Sequence, residues 1–270
     1  MMRFLRKVGY YIWSVLVLLV CVKNWSALFS IFLGKAFTGL RWLKLRRDNL
    51  TMAVTSKMEA WSVKESLLDR FYTRYSAPIQ PDWTIVDIGA SIGEFCVEAA
   101  LQVPEGRVIA FEPNPGSINI LRQNLRVNGL KNVESYNVGI WKEAGEITLE
   151  IRHDESINAR SLDCDKEADP DSRRTSIPVL PLNEMLTLTE ADKIDLMKID
   201  TEGTEFEILM SQSEEVFERI ERMIIEVHET LPEKNGEKLM TYLEQLGYKT
   251  RRHDNYVHGH LHYLYAWRED

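Results

Sequence analysis

The sequence predicts an α/β protein with a doubly wound, mostly parallel sheet and helices on both of its faces. Two observations carry this prediction. Pro78 and Pro81 mark a boundary, and beyond them short apolar runs alternate with segments whose apolar residues recur at helical spacing. Strands that alternate with helices form a parallel sheet covered by helices. The chain of 270 residues, 44% of them apolar, is long enough to bury a full core in one large domain.

The elements of this region follow one another in a regular order. Strands are predicted at TIVDIG, RVIAFE, NVESYNVGI, EITLEI, IDLMKID, RMIIEV and HLHYLYAW, and helices at GEFCVEAALQV, GSINILRQNLRVNGL and EKLMTYLEQLG. Residues 152–175 carry many charges and few large apolar side chains, so they are too polar for the core. We expect them to form a loop, a lid or a disordered insert.

The N-terminal part of the chain has a different pattern. Helices are predicted at residues 25–34 and 61–72, and a hairpin at residues 40–45 and 50–54. The chain therefore divides into a hydrophobic basic helix over residues 1–24, a helix and hairpin extension over residues 25–80, and a main domain over residues 81–270.

The charge of the chain is strongly asymmetric. Residues 1–47 contain nine Lys and Arg and no Asp or Glu, whereas the remainder contains 24 basic and 41 acidic residues. A basic head on an acidic body is suited to contact with an anionic membrane surface. Proteins that wrap nucleic acid need a basic stripe, so the acidic body argues against nucleic acid as a partner.

The apolar stretch at residues 8–22 allows three interpretations. It is shorter than the roughly 20 residues that cross a bilayer. It can be a membrane-inserted or interfacial anchor, which the basic flanks and aromatic residues favour, or a helix packed on the domain. A secretory signal is disfavoured because no small-x-small cleavage site follows.

The three cysteines show no disulfide or zinc spacing. We expect a cytoplasmic protein that the N-terminus can attach to a membrane.

The strongest signal for a ligand site is IVDIGASIGEF followed by RVIAFEPNP. Gly89 and Gly93 bracket a tight turn where a missing Cβ lets a ligand lie against the backbone. Glu112 ends the next strand, and adjacent strand ends meet at the switch point of the sheet. A carboxylate there can accept hydrogen bonds from both hydroxyls of a ribose, while Asp87 under the glycine turn can face the amino end of a cofactor.

Two other classes of enzyme share parts of this pattern. A dinucleotide enzyme would have G-x-G-x-x-G, whereas three residues separate Gly89 from Gly93 here. The segment GASIG matches G-x-S-x-G, the turn that carries the nucleophile of α/β-hydrolases, with Ser91 as the serine. In hydrolases several strands precede that turn, whereas here it follows the first strand of the α/β unit.

The order of motifs resembles the FkbM-type methyltransferases. The motifs are VDIGASIGEF, VIAFEPNP, LRQNLRVNGL, IDLMKIDTEGTEFEIL and IIEVH, over about residues 60–230. The resemblance implies a class I, Rossmann-like methyltransferase fold and S-adenosylmethionine as donor. It also implies an oxygen acceptor on a sugar or other small metabolite.

The resemblance also assigns residues. By position, Asp87, Gly89, Ser91, Gly93 and Glu112 would line the cofactor, and Asn137 would contact adenine. The sequence departs from the family at two points. Ser91 stands where the family usually has Asn, and Asn183 replaces an acid in LPLNEML, which leaves the role of the missing carboxylate in doubt.

A hydroxyl acceptor needs a base that removes its proton. The base should lie at the ends of the strands IDLMKID and RMIIEV, where the candidates are Asp200, Glu202, Glu226 and His228. An alternative role for polar residues there is structural, such as an ion pair between Lys198 and Glu226 on neighbouring strands. No group of His, Asp and Glu has a clear metal spacing, so we expect no metal.

The sequence therefore predicts methyl transfer from S-adenosylmethionine to a hydroxyl of a small molecule or glycan. Three alternatives stay open: an NAD-dependent oxidoreductase, a hydrolase that uses Ser91, and a membrane-tethered binding protein without turnover.

Overall fold

The computed structural model describes residues 2–33, 39–152, 155–161, 172–229, 234–255 and 261–269. The helices are α1 Met2–Cys21, α2 Trp25–Leu33, α3 Lys57–Val63, α4 Glu94–Gln102, α5 Pro115–Val127, α6 Leu182–Leu188, α7 Glu205–Met210, α8 Glu214–Phe217 and α9 Gly236–Gln245. The strands are β1 Arg41–Lys44, β2 Thr51–Val54, β3 Thr84–Ile88, β4 Arg107–Phe111, β5 Val133–Tyr136, β6 Gly139–Ile140, β7 Gly145–Arg152, β8 Glu155–Ser161, β9 Ser172–Leu180, β10 Leu196–Ile199, β11 Arg222–His228, β12 Lys249–Asp254 and β13 Leu261–Trp267.

A seven-stranded sheet in the order β12-β13-β11-β10-β3-β4-β5 forms the centre of the protein. Its neighbouring strands are parallel except for β13, which runs antiparallel to both β11 and β12. The chain moves from β3 outward to β5 and then returns to β10 on the other side of β3. The predicted doubly wound, mostly parallel sheet is therefore confirmed, and its switch point lies between β3 and β10.

Alternating residues of the central strands pack into two cores on opposite faces of the sheet. On β3, Ile85 packs into one core and Val86 into the other; on β4, Val108 and Ile109 divide in the same way. Helices α4 and α5 cover the first face, and helices α6, α7, α8 and α9 supply the second core. Strands buried on both faces read as continuous apolar runs, which is why the sequence pattern identifies them.

The insert at residues 152–175 differs from its prediction. Residues 155–161 and 172–180 form β8 and β9, which join β6 and β7 in a second, four-stranded sheet of order β6-β9-β7-β8. The prediction of a loop or disordered insert is therefore wrong for these residues, while residues 153–154 and 162–171 lie outside the described part. Backbone hydrogen bonds hold β9 to β7, which was predicted from its alternating pattern, and the buried Ile177 and Val179 of β9 pack with Leu149 of β7.

The N-terminal elements pack on the first face of the central sheet. The predicted hairpin is confirmed as β1 and β2, whose register pairs Arg41 with Val54. The helix predicted at residues 25–34 is confirmed as α2, with its predicted end at residue 34 outside the described residues. Apolar side chains of α1, α2 and the hairpin belong to the same core as α4 and α5. The division at residues 24 and 80 stays a prediction.

The helix predicted at residues 61–72 is shifted toward the N-terminus. It begins at Lys57, where the Ser56 hydroxyl accepts a hydrogen bond from the amide of Glu59, and it continues as one wider turn over Lys64–Leu68. The chain then forms turns, so Tyr72 lies outside the helix. The capping serine, which the apolar periodicity does not include, sets the true start. No helix among the described residues is long and apolar enough to cross a bilayer.

Candidate functional site

A cleft opens at the carboxyl ends of β3, β4 and β10, beside the switch point of the sheet. The turn after β3, the end of β4 and the segment after β10 form its floor, and the second sheet forms one wall through Trp141, Ile147 and Leu149. Of the predicted cofactor residues, Gly89, Ser91 and Glu112 line this cleft, and so do Asp200 and Glu202 from the predicted catalytic set. The second sheet is therefore part of the site, which the sequence did not indicate.

The glycine turn is as tight as its sequence predicts. Gly89 has φ +75°, and a Cβ placed on it would lie 1.8 Å from the backbone oxygen of Asp200. Gly93 has φ +85° at the start of α4, where a Cβ would lie 2.8 Å from Cγ of Leu121. Gly93 thus brings α4 and α5 together and does not line the cleft, whereas Gly89 lets the turn approach β10.

Glu112 is held in the cleft by the backbone. Its carboxylate accepts hydrogen bonds from the amide of Ser91 at 2.8 Å and from the amide of Asn114 at 2.7 Å. Burial raises the pKa of Glu112 to about 7, although the two amide donors oppose this shift. Beside it, Ser91 has φ +49°, and its buried hydroxyl has no hydrogen-bond partner among the described residues. This pair can bind a ligand rich in hydroxyl groups.

The structure places Asp87 beneath the cleft. Asp87 is fully buried, lies 3.1 Å from the Lys198 ammonium and accepts a hydrogen bond from the thiol of Cys96. Burial raises the pKa of Asp87, with Lys198 acting in the opposite direction. Burial alone would lower the pKa of Lys198, but Asp87 and then Asp200 outweigh it and raise that pKa.

Among the described residues Lys198 pairs with Asp87 and Asp200, so the alternative of an ion pair between Lys198 and Glu226 is not borne out. In the sheet register Asp87 lies directly opposite Lys198 on β3, and Lys198 also donates to the backbone oxygen of Gly89 at 2.8 Å. Asp87 thus acts below the glycine turn by fixing Lys198, and no contact of Asp87 with the cleft is seen.

Asn137 supports the rim of the site. Its amide nitrogen donates to the backbone oxygens of Glu112 at 2.9 Å and Pro113 at 2.8 Å. Its side chain is exposed and does not line the cleft. A direct contact of Asn137 with adenine stays a prediction, and the contacts present indicate that it positions the turn after β4.

Three of the predicted catalytic residues lie together. One ligand atom from each of Asp200, Glu202 and His228 falls within 4.8 Å of the others. The sequence spacing did not indicate this group because β10 and β11 are adjacent in the sheet but distant in sequence. The expectation of no metal stays a prediction.

His228 lies behind the two carboxylates and is almost fully buried. Its Nδ1 lies 2.9 Å from the buried carboxylate of Glu205, and its Nε2 lies 3.4 Å from Glu202. Burial alone would lower the pKa of His228, but Glu205, Asp200 and Glu202 outweigh it and raise the pKa to about 10. With this proton bound, the ring of His228 has no lone pair to take the proton of an acceptor.

Glu205 is a functional residue that the sequence did not identify. One of its oxygens accepts from the backbone amides of Thr201 and Gly203 as well as facing His228. These contacts hold the turn that carries Glu202. Glu205 lies inside the quoted motif IDLMKIDTEGTEFEIL, but only the fold reveals that it is fully buried.

Tyr72 is a second residue that the sequence did not identify. Its hydroxyl lies 2.8 Å from carboxylate oxygens of both Asp200 and Glu226. Burial, followed by the charge of Asp200, raises the pKa of Glu226 well above its ordinary value. No motif marks Tyr72, and the aromatic run FYTRY before Pro78 is the only local signal.

The strand order of the central sheet and the position of this cleft are those of a class I methyltransferase fold. The sequence profile of the methyltransferase FkbM domain matches residues 87–250, from the strand before the glycine turn to β12. The chain belongs to this family, and the predicted family and fold are confirmed.

Several known proteins are similar to this chain. Methyltransferase sdnD of Sordaria araneosa is 26% identical over 235 residues, which cover 77% of this chain and 89% of the relative. The 31-O-demethyl-FK506 methyltransferase FkbM of Streptomyces tacrolimicus is 26% identical and covers 62% of this chain and 73% of its own length. Hexuronic acid methyltransferase AglP of Haloferax volcanii is 23% identical, with 70% and 74% covered.

Among solved structures, the methyltransferase FkbM from Methylobacillus flagellatus superposes with a TM-score of 0.50 at 16% identity. The match covers 73% of this chain but 46% of that protein. At this identity the likeness shows the fold, and it agrees with the strand order of the central sheet.

Proposed function

We propose that this protein transfers a methyl group from S-adenosylmethionine to a hydroxyl of a sugar or other small molecule. The observation that carries the proposal is the geometry of Glu112. Two backbone amides hold this carboxylate at the end of β4, beside the unpartnered hydroxyl of Ser91. A carboxylate fixed in this way accepts hydrogen bonds from a ribose diol, which every S-adenosyl cofactor carries.

The residues present fit this cofactor. Glu112 would hold the ribose, the unpartnered hydroxyl of Ser91 would gain a partner, and Gly89 keeps the adjoining turn against β10. Apolar and aromatic side chains of Phe111 and Trp141 line the same cleft and suit a flat purine. When bound, the cofactor supplies a methyl group on a sulfonium, which is already activated for displacement by an oxygen nucleophile.

The carboxylates of Asp200 and Glu202 would take the proton of the acceptor hydroxyl. Both line the cleft, whereas His228 lies behind them and does not. In this proposal His228 is a positioning residue, which contacts Glu202 and Glu205 behind the cleft. The two carboxylates that line the cleft, and not His228, act as the base. A base positioned in this way is worth about 10²–10⁴-fold in rate.

The relatives support an oxygen acceptor. One is named for 31-O-demethyl-FK506 and another for hexuronic acid, which are both hydroxyl-bearing molecules. The described residues of the cleft wall include three carboxylates and no Lys or Arg. Carboxylates bind hydroxyl donors well, so the wall is suited to a polyhydroxylated acceptor.

The test is calorimetric titration of the full chain with S-adenosylmethionine, S-adenosylhomocysteine and NAD in parallel. We expect binding of the first two and at least a hundredfold loss of affinity in Glu112→Ala. The matched control is Glu98→Ala, since Glu98 is also a buried carboxylate but lies outside the cleft. Binding of NAD alone would favour an oxidoreductase and overturn the proposal.

A second arm separates the remaining alternatives. Labelled methyl transfer is screened against free sugars, uronic acids and polyketide alcohols. Ser91→Ala should retain turnover in a methyltransferase and lose it in a hydrolase, for which the structure offers no histidine partner to Ser91 among the described residues. Cofactor affinity without a methylated product from any acceptor would favour the binding protein without turnover.

A further inference from the structure

The outward faces of the two N-terminal helices expose many large apolar side chains. On α1 the side chains of Ile12, Trp13, Leu16 and Val20 are each at least half exposed, and α2 adds Phe29 at 53%. A helix on the surface of a soluble domain normally turns polar side chains to water. No charged residue lies between Lys7 and Lys23, so this face has no polar stripe at all.

The opposite face of α1 is fixed to the rest of the protein. Ser14, Leu18 and Val22 are buried, and the hydroxyl of Tyr10 donates to Glu65 at 2.9 Å. Past the end of α1, the amide of Arg46 donates to the backbone oxygen of Cys21 at 2.7 Å, which ties the helix to the β1–β2 hairpin. The exposed apolar face is therefore held by packing on its other side and is not a loose tail.

Basic side chains lie at one end of this apolar face. Lys23, Arg41, Lys44 and Arg46 are exposed at the end of α1 and on the hairpin. Trp25 and Trp42 lie beside them and are also exposed. Tryptophan and basic residues next to an apolar helix face are the composition of segments that lie at the boundary between headgroups and acyl chains.

We propose that this surface, which consists of the outward faces of α1 and α2 with the exposed basic residues of the hairpin, docks on an anionic lipid bilayer. The helices lie in the plane of the membrane, which agrees with the finding that no described helix could cross it. Charge complementarity selects this occupant over a second copy of the chain. Two copies joined here would bring together two segments that each carry nine basic residues and no acidic ones.

The proposal extends the predicted membrane contact of residues 1–47 to a defined face and does not depend on the methyl-transfer function. Docking by this rigid face would hold the cleft in a fixed orientation to the bilayer. Its energy would come from burial of the exposed apolar side chains and from basic residues near anionic headgroups.

The experiment is flotation of the full chain with vesicles of phosphatidylcholine, with and without phosphatidylglycerol. We expect binding to the mixed vesicles that weakens with salt, and little binding to phosphatidylcholine alone. The triple variant Lys23→Gln, Arg41→Gln, Lys44→Gln should bind about a hundredfold more weakly, since each charge near an anionic surface is worth roughly fivefold.

A second pair of variants tests the apolar face. Trp13→Glu with Leu16→Glu should abolish flotation, while Leu101→Glu with Val127→Glu, which are also exposed apolar positions but lie on α4 and α5, should not. Unchanged urea unfolding of each variant confirms that the chain remains folded. Failure of the full chain to float, or equal loss in both pairs, would overturn the proposal. So would a dimer in sedimentation that Trp13→Glu with Leu16→Glu dissociates without any vesicle binding.

Discussion

The hydroxyl of Tyr72 lies 2.8 Å from a carboxylate oxygen of Asp200, although 128 residues separate the two in the chain. The same hydroxyl lies 2.8 Å from Glu226. The hydroxyl of Tyr72 is within donating distance of both carboxylates, and burial followed by the charge of Asp200 raises the pKa of Glu226. Tyr72 therefore links Asp200 in the cleft to Glu226 on the neighbouring strand. The N-terminal segment thus completes the site on the central sheet.

Replacement of Tyr72 by Phe should slow methyl transfer and leave cofactor affinity nearly unchanged. The ring and its packing on Phe95 remain, while Asp200 loses the donor that orients it. A hydrogen bond to a charged group is worth about 1.5–3 kcal/mol, which corresponds to roughly 10–150-fold in rate. The measurement is single-turnover transfer to the acceptor found in the screen, with S-adenosylhomocysteine titration alongside.

Tyr136→Phe is the control for this prediction. Its hydroxyl also contacts a carboxylate, Glu134, but does so at the surface. The role of Tyr72 would be contradicted by a transfer rate equal to that of the unmodified protein. A matching loss of cofactor affinity would instead place Tyr72 in the binding of the donor.

Cofactor binding should depend on pH through Glu112. Its pKa of about 7 means that the free protein carries a proton there under mildly acidic conditions, which must leave before the carboxylate can accept both ribose hydroxyls. Affinity for S-adenosylhomocysteine should therefore rise between about pH 6 and pH 8, by up to tenfold per unit below the pKa. Glu112→Gln should bind weakly and with a flat profile.

Glu98 provides the matched control because burial also raises its pKa to about 7, while it lies away from the cleft. Glu98→Gln should keep the pH profile of the unmodified protein. If that variant flattens the profile, or if the unmodified protein shows none, the titration of Glu112 does not control binding.

Replacement of Gly89 by Ala should destabilise the protein far more than replacement of Gly129. Both glycines have a positive φ, +75° and +69°, so both changes carry the left-handed penalty of about 1–2 kcal/mol. Only at Gly89 does the new Cβ meet another atom, the backbone oxygen of Asp200 at 1.8 Å; at Gly129 nothing lies within 4 Å. Urea unfolding should show a loss beyond about 3 kcal/mol for Gly89→Ala, or no folding. Equal losses would refute the close approach.

The sequence predicted the sheet and half of the site because those features have local signals. Gly89 and Glu112 lie at the ends of apolar strands, so the parallel topology brings them together without further information. Asp200 and Glu202 follow from the same rule. The second sheet was missed because β8 and the first part of β9 have polar sequences. Its apolar cluster of Leu149, Ile177 and Val179 forms only when distant strands pair.

The supporting residues could not be predicted, for a different physical reason. Tyr72 reaches Asp200, and Glu205 reaches His228, through tertiary packing that leaves no trace in spacing. The contacts of Asp87 and His228 could not be foreseen because burial and charge decide them. Asp87 lies below the turn with Lys198 as its partner, and His228 is enclosed by three carboxylates that stabilise its proton.

The proton on His228 should stabilise the fold over a defined pH range. Its pKa in the folded state is about 10, above the ordinary value of 6.5. Because the folded protein binds this proton more tightly than the unfolded chain, the stabilisation is fully present below about pH 6.5 and is lost as pH rises toward about 10. The free energy of unfolding of the unmodified protein minus that of His228→Gln should therefore fall across that window.

The difference should amount to a few kcal/mol at about pH 6 and approach its minimum near pH 10. This difference is measured by urea unfolding of both proteins at a series of pH values with a chelator present. Subtracting the two free energies of unfolding cancels the contributions of groups that titrate in both proteins. His253→Gln is the control, because burial lowers the pKa of His253 and its proton gives no stabilisation. A difference for His228→Gln that stays constant from pH 6 to 10 would mean that His228 is neutral in the folded state. It would then be free to act as the base in place of Asp200 and Glu202.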